Sequence, residues 1–145
     1  ELAREYGADL LVNAKDSSAS EKIIEWTKNR GVDLSFEVVG IDQSVQTAIQ
    51  STRKGGTVVL VGNLSPNIQF PLQQVVTREI TVQGSCAING EYELVLDLMA
   101  AKKVDPGKMI SAEASLSEGA GWFKRLYNKE PGLNKVILIP DNNRQ

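Results

Sequence analysis

The stretch "RKGGTVVLVGN", residues Arg53 to Asn63, decides the fold of this chain. A basic turn with two glycines precedes an uninterrupted apolar run, which predicts a strand from Thr57 to Val61 that is buried on both faces. The strand ends at Gly62, which has no side chain, and a polar residue follows. Such an ending predicts that something approaches the main chain closely at this point.

Strands and helices alternate on both sides of this stretch. Strands are predicted over residues 9–14, 32–39, 57–61, 80–86 and 135–139, with a further one within 108–116, and helices over residues 18–30, 42–52, 72–77, 91–102 and 117–130. Alternation with apolar strands predicts an α/β fold, in which a parallel sheet is covered by helices on both faces.

Local signals set the ends and faces of these helices. Ser18 and Glu21 have capping-box spacing, and Asp42 is a candidate cap for the next helix. In the helix over 117–130 the residues expected to face inward are Ala120, Phe123 and Leu126 or Tyr127. The opening "ELAREYG" is typical of the last turns of a helix, so we expect the native chain to begin upstream of it.

Length, charge and cysteine content limit the class of protein. A chain of 145 residues can bury a core, and its net charge of −2 argues against nucleic-acid binding. No apolar run approaches the roughly 20 residues that span a bilayer, so no membrane partner is expected. The single cysteine, Cys86, excludes an internal disulfide and fits a cytoplasmic location. We expect it to be a small buried residue.

Histidine is absent from the sequence. Because histidine is the commonest metal ligand and general base near neutral pH, neither a complete zinc site nor a Ser-His-Asp triad can be built from this chain. We therefore expect no catalytic and no metal-binding residue here. Chemistry near pH 7 must come from a cofactor, a further part of the polypeptide or a partner.

Three predicted strands end in small residues, at "VVG" (38–40), "VGN" (61–63) and "GSCA" (84–87). Ligands of open parallel sheets bind at the carboxyl ends of the strands. These ends offer main-chain polar groups and aliphatic side chains, which suit a flat ring that carries an amide. The alternative is that the glycines only make tight turns.

Two charged residues have an open role on sequence alone. Glu37 lies within a strand, where a hydrogen bond or an ion pair is favoured over acid–base catalysis. Lys135 precedes the last strand and is either a solvated lysine or a ligand of a phosphate. No strand tip carries the aspartate of a receiver domain. The glycine-rich loop and the acidic ribose-binding residue of a methyltransferase are not in view either.

Several segments together resemble a known family. In order they are "ELAREYGADLLVNAKD", "GVDLSFEVVG", "RKGGTVVLVGN", "REITVQGSCA", "EYELVLDLMAAKKVD" and "KVILIP". The set, which covers essentially the whole chain, is similar to the C-terminal part of medium-chain dehydrogenases, in their zinc-dependent alcohol and polyol branch. The resemblance implies a partial Rossmann domain over 1–102, a doubly wound parallel sheet lacking its first strands. It implies that residues 103–145 return to the catalytic domain.

The resemblance also implies a cofactor site. The carboxamide of NAD or NADP would be bound by the main chain at Val61 and at Ser85, Cys86 and Ala87. The nicotinamide or its ribose would be flanked by Gly62 and Asn63. The adenosine half would pack on Val39 and Gly40, and the pyrophosphate would be approached by Lys135.

Other parts of the family's machinery lie upstream in that resemblance. They are the GxGxxG loop, the acidic ribose-binding residue and the ligands of the catalytic zinc. The resemblance therefore implies a parent oxidoreductase that acts on a secondary alcohol or polyol, with a zinc that this chain does not bind. We expect the chain alone to be inactive. The alternative from another class is a non-catalytic Rossmann-like module for nucleotide binding or assembly.

The resemblance implies a homodimer as well. In the family the strand matching residues 80–86 lies at the sheet edge and pairs with its twin across a two-fold axis. Here "ITVQGSC" carries no lysine or proline that would discourage edge pairing.

Overall fold

Residues 2–140 are described by a computed structural model and form two units, residues 3–88 and residues from 89 onward. The helices are α1 (Leu2–Glu5), α2 (Ala19–Trp26), α3 (Asp42–Ser51), α4 (Leu72–Thr77), α5 (Tyr92–Ala100) and α6 (Gly119–Tyr127). The strands are β1 (Val32–Glu37), β2 (Thr52–Leu60), β3 (Thr81–Gly84), β4 (Ile110–Ser115) and β5 (Lys135–Ile139). Short 3-10 turns cover Gly107–Met109 and Leu116–Glu118.

The first unit is built on a parallel sheet with the strand order β1-β2-β3. Leu60 at the end of β2 lies opposite Glu37 on one side and opposite Gly84 on the other. The carboxyl ends of all three strands therefore meet at one edge, which we call the strand-end edge (residues 38–40, 61–63 and 85–87). The predicted α/β fold with parallel strands is confirmed.

One face of this sheet carries the core. Val45 and Ile49, one turn apart on α3, pack with Val58 of β2 and with Ile80 just before β3. On the opposite face, Leu34 and Phe36 of β1 are 47% and 64% exposed. Within the described residues of this unit the helices thus cover one face, whereas the sequence predicted cover on both.

The predicted strand over residues 9–14 is wrong, since this segment pairs with no strand in the described part of the chain. An extended segment needs a neighbour for its main-chain hydrogen bonds before it becomes a strand. Its apolar composition predicted burial, but the pairing partner is a tertiary feature.

Both predicted helix caps are also wrong in detail. Before α2, the Asp16 carboxylate accepts hydrogen bonds from the Ser18 amide and hydroxyl (2.9 and 2.7 Å), so Ser18 makes no side-chain cap. Lys22 also contacts this carboxylate, and its hydrogen bond is the main reason that the Asp16 pKa lies far below its usual range. The Asp42 carboxylate accepts a hydrogen bond from the main-chain amide of Gln69 (2.8 Å) instead of capping α3.

The second unit contains a parallel pair of strands, β4 and β5, joined through α6. A Cβ on Gly119 would lie 3.1 Å from Leu138 Cδ1, so α6 lies close to β5 at this glycine. Phe123 and Tyr127 are 71% and 87% exposed, and Ala120 is exposed as well, so these predicted inward positions are wrong, whereas Leu126, the alternative to Tyr127, is half-buried. The more covered positions of α6 are Gly119, Trp122 and Leu126.

The two units divide the chain between residues 88 and 89. The predicted boundary at 102/103 concerns two domains of a larger protein, so it stays a prediction. No helix among residues 2–140 combines the length and the apolar character needed to cross a membrane.

Candidate cofactor site at the strand ends

The first two strand ends are pressed against each other. A Cβ on Gly62 would lie 2.2 Å from the Gly40 nitrogen and 2.3 Å from that of Val39, distances that no real side chain tolerates. A Cβ on Gly40 would lie 2.5 Å from the Asn63 nitrogen, and Gly40 has a φ of +82°. The close approach predicted at Gly62 is therefore, first of all, that of the chain's own β1 end.

The third strand end is open. A Cβ on Gly84 would have no atom within 4 Å, and residues 85–87 are exposed. The Ser85 amide donates to the Leu60 carbonyl (2.9 Å), which extends the β2–β3 ladder by one bond. Cys86 is exposed, so the expectation of a buried cysteine is wrong: the chain has left the sheet before it reaches the thiol.

Glu37, the last residue of β1, connects the first two ends. Its side chain is buried, and Oε1 accepts hydrogen bonds from the amides of Val39 (2.8 Å) and Gly40 (2.9 Å). Its main-chain carbonyl accepts from the amides of Val61 (2.8 Å) and Gly62 (3.0 Å). The hydrogen-bonding role predicted for Glu37 is confirmed.

Two opposed effects act on the Glu37 pKa. Burial raises the pKa of this carboxyl, because a charge loses solvation. Hydrogen bonds from the Gly40 amide, the Ser44 hydroxyl and the Val39 amide favour the charged form and together outweigh burial. The net result is a pKa below the ordinary glutamate value, so Glu37 is a carboxylate at neutral pH and a poor general acid or base.

Some polar main-chain groups at this edge are left without a partner. Among them, in the described part of the chain, are the Val61 carbonyl and the amides of Cys86 and Ala87. Val39 and Val61 present side chains that are 45% and 44% exposed beside them. An acceptor and donors at adjacent strand ends, beside aliphatic surface, fit a planar ring with a carboxamide, which both accepts and donates.

The structure brings most of the predicted site residues to the strand-end edge. Val39, Val61, Asn63, Ser85, Cys86 and Ala87 are exposed there, Gly62 is half-buried and Gly40 is buried. Lys135 begins β5 of the other unit and is exposed, so its contact with a phosphate stays a prediction. Sequence reasoning predicted a hydrogen bond for Glu37 but not its link between two strand ends, and it did not single out Ser44. An acid three residues before a strand-end glycine was the signal available.

A comparison with known families identifies the chain. Residues 1–101 match the sequence model of the family described as zinc-binding dehydrogenase. The chain belongs to the zinc-binding dehydrogenase family. The resemblance to medium-chain alcohol and polyol dehydrogenases is thereby confirmed.

Individual members of the family are moderately similar to this chain. L-idonate 5-dehydrogenase (NAD(P)(+)) of Escherichia coli is 33% identical over 113 residues, which cover 77% of this chain and 32% of the relative. Sorbitol dehydrogenase of Bacillus subtilis is 28% identical over 143 residues, covering 97% of this chain and 40% of the relative. The crystal structure of 2R,3R-butanediol dehydrogenase from Bacillus subtilis has a TM-score of 0.85 and 28% identity, over 96% of this chain and 40% of that one. The chain thus spans 32–40% of the length of these proteins.

Proposed function

We propose that this chain supplies the nicotinamide side of the cofactor site in an NAD(P)-dependent oxidoreductase, which transfers hydride between a secondary alcohol or polyol and nicotinamide. Family membership and the dehydrogenase relatives support the reaction class. The observation that carries the proposal is that the Val61 carbonyl and the amides of Cys86 and Ala87 lie at adjacent strand ends without a hydrogen-bond partner among the described residues.

In the proposed complex the carboxamide is bound by main chain alone. Its NH2 group donates to the Val61 carbonyl, and its oxygen accepts from the amide of Cys86 or Ala87. Gly62 and Asn63 flank the ring or its ribose. The remaining contacts are made towards the adenosine half by Val39 and Gly40 and at the pyrophosphate by Lys135. When bound, the nicotinamide supplies the hydride acceptor, and the chain's own role is to orient the ring.

Zinc enters only through the family. Within residues 2–140, no group of three histidine, cysteine, aspartate or glutamate side chains lies together as a metal site. The residues present therefore do not fit a catalytic zinc, which needs three protein ligands and an open position. In this proposal zinc belongs to the parent enzyme and not to this chain.

The test is cofactor binding with a site-directed block. In the protein at its native length, Asn63→Trp should raise the Kd for NADH by about tenfold or more, because its bulk fills the nicotinamide end. Asn67→Trp is the matched control, since Asn67 is an exposed asparagine of the same loop and lies outside the strand-end edge. Fluorescence titration and an alcohol-oxidation assay provide the two readouts.

Three outcomes decide between readings. Binding and turnover at native length, with a loss in Asn63→Trp alone, support the proposal. NADH binding without oxidation of any alcohol or polyol favours the non-catalytic nucleotide-binding module. Residues 1–145 on their own should show no turnover with or without zinc, and turnover by them would mean that the missing machinery has been assigned wrongly.

The dimer is part of the same proposal. Among the described strands, β3 pairs with β2 alone, so its other edge is open for a twin strand across a two-fold axis. Light scattering at tens of micromolar should report a dimer, and Gln83→Lys on the exposed part of β3 should weaken it. A monomeric wild-type protein would contradict this pairing.

A further inference from the structure

Glu37 is a buried charge that the proposed cofactor contacts do not use. It is 3% exposed, and no other charged residue in the described part of the chain is buried to this degree. A buried carboxylate loses its hydration, which is unfavourable unless hydrogen bonds replace it. Its position at the end of β1 therefore calls for a reason beyond packing.

The carboxylate fixes the turn that leaves β1. Gly40 has a φ of +82° and no side chain that could fix this conformation. Glu37 Oε1 accepts from the amides of Val39 and Gly40, and Oε2 lies 3.1 Å from the Gly40 amide as well. Both amides of the turn thereby donate to one carboxylate.

The carbonyl of the same residue fixes the direction of the Val61 acceptor. The Gly62 amide donates to the Glu37 carbonyl (3.0 Å). The Gly62 N–H and the Val61 C=O belong to one trans peptide plane and point in opposite directions. With the N–H turned towards β1, the Val61 carbonyl must point away from it, free to accept from a ligand.

We infer that Glu37 is a positioning residue: through its carboxylate and its carbonyl it holds the ends of β1 and β2 so that the Val61 carbonyl is presented to the carboxamide of the cofactor. This rests on the proposed function for the identity of the ligand. The packing of Gly40 against Gly62 links the two bonds, because a shift of either turn moves the other.

Three variants separate this role from loss of stability. Glu37→Ala removes the acceptor of two amides. Glu37→Gln keeps one side-chain oxygen and should restore the bonds made by Oε1. Ser35→Ala is the matched control: it lies two residues earlier on β1 and removes a polar side chain that contacts the Thr52 hydroxyl (2.7 Å), away from the strand-end edge.

Two readouts are made on the protein at its native length. Amide hydrogen exchange should accelerate about tenfold or more at residues 39, 40, 61 and 62 in Glu37→Ala, and should stay near wild type at these positions in Ser35→Ala. The Kd for NADH and the KM for NAD⁺ in alcohol oxidation should rise about tenfold in Glu37→Ala, with kcat at saturating cofactor changed less than about threefold. Glu37→Gln should recover both readouts to within about threefold.

Each failure points to a different error. Unchanged exchange at the four amides in Glu37→Ala would overturn the positioning role, whatever happens to cofactor binding. Faster exchange with an unchanged Kd for NADH would also overturn it, since cofactor binding would then not depend on how these strand ends are held. A wild-type protein that binds no NADH contradicts the proposed function, a result that the exchange rates do not influence.

Discussion

The end shared by β1 and β2 and the end of β3 each contain a glycine, in "VVG" and "VGN" against "GSC", but they differ physically. At the first, Gly40 and Gly62 touch main chain to main chain, and every amide from residues 61 and 62 is used inside the protein. At the second, a Cβ on Gly84 would meet nothing within 4 Å, and the amides of Cys86 and Ala87 have no hydrogen-bond partner among the described residues. Glycine permits packing in one place and leaves space in the other.

The two strand ends therefore offer different hydrogen-bonding groups to a ligand. The packed end offers the Val61 carbonyl as an acceptor whose direction is fixed by the bond of the Gly62 amide, and the open end offers the amides of Cys86 and Ala87 as donors. A ligand with both an N–H and a C=O can form hydrogen bonds to both ends. The variants below test it, from the largest effect to the smallest.

The largest effect is expected from a methyl group at each glycine. Gly62→Ala should lower the free energy of unfolding by about 3 kcal/mol or more, because the backbone of residues 39 and 40 must move. Gly84→Ala should be neutral or stabilising by about 0.5 kcal/mol, since its methyl meets nothing and the unfolded chain loses freedom. Urea titration of the two variants measures both.

Equal destabilisation by the two alanines would remove the comparison, because it would mean that the third strand end is as tightly packed as the first two. A tolerated Gly62→Ala would show that the β1 end gives way easily. The proposed rigid presentation of the Val61 carbonyl would then lose its basis.

How much of this follows from sequence depends on the range of the interaction. The helix over 72–77 was predicted with the bounds that the structure has, since its signals are local. The meeting of three strand ends followed from alternation and from the parallel sheet. Whether a strand-end glycine is packed or open depends on a neighbour some 20 residues away, as for Gly40 and Gly62, and no local pattern encodes it.

The same limit explains the wrong predictions. Residues 9–14 are apolar enough for a strand but have no partner among the described strands. Cys86 was expected to be buried because cysteine usually is, yet β3 ends two residues before it. Glu37 shows the opposite case: its predicted hydrogen bond is confirmed, and the amides that bind its carboxylate come from its own turn.

A smaller effect is expected in acid. The Glu37 pKa is lowered in the folded protein from an ordinary value of 4.5, so its contribution to stability is fully present above pH 4.5 and is lost as the pH falls through the folded pKa. Glu37→Gln should therefore flatten the acid limb of the stability curve below pH 4.5. Denaturation followed by Trp26 fluorescence in a Trp122→Phe background reports on the first unit.

Glu130→Gln is the control for this titration. Its pKa is also lowered, by the Arg125 hydrogen bond, but both partners are substantially exposed and lie in the second unit. The Trp26 signal should keep its wild-type acid limb in this variant. An acid limb unaffected by Glu37→Gln would show that the turn amides do not stabilise the carboxylate.

The smallest effect is expected at the open end itself. Because Cys86 is exposed beyond β3, iodoacetamide should alkylate the folded protein, and the adduct should change the free energy of unfolding by less than about 0.5 kcal/mol. A control with Cys86→Ser and Val58→Cys places the thiol at a position that is 0% exposed, where labelling should require unfolding. Mass spectrometry of time points measures both rates.

In the protein at its native length, NADH should slow labelling at Cys86, because the proposed carboxamide contact covers residues 86 and 87. Labelling that is fast in the free protein and unchanged by saturating NADH would keep the open end but remove it from the cofactor site.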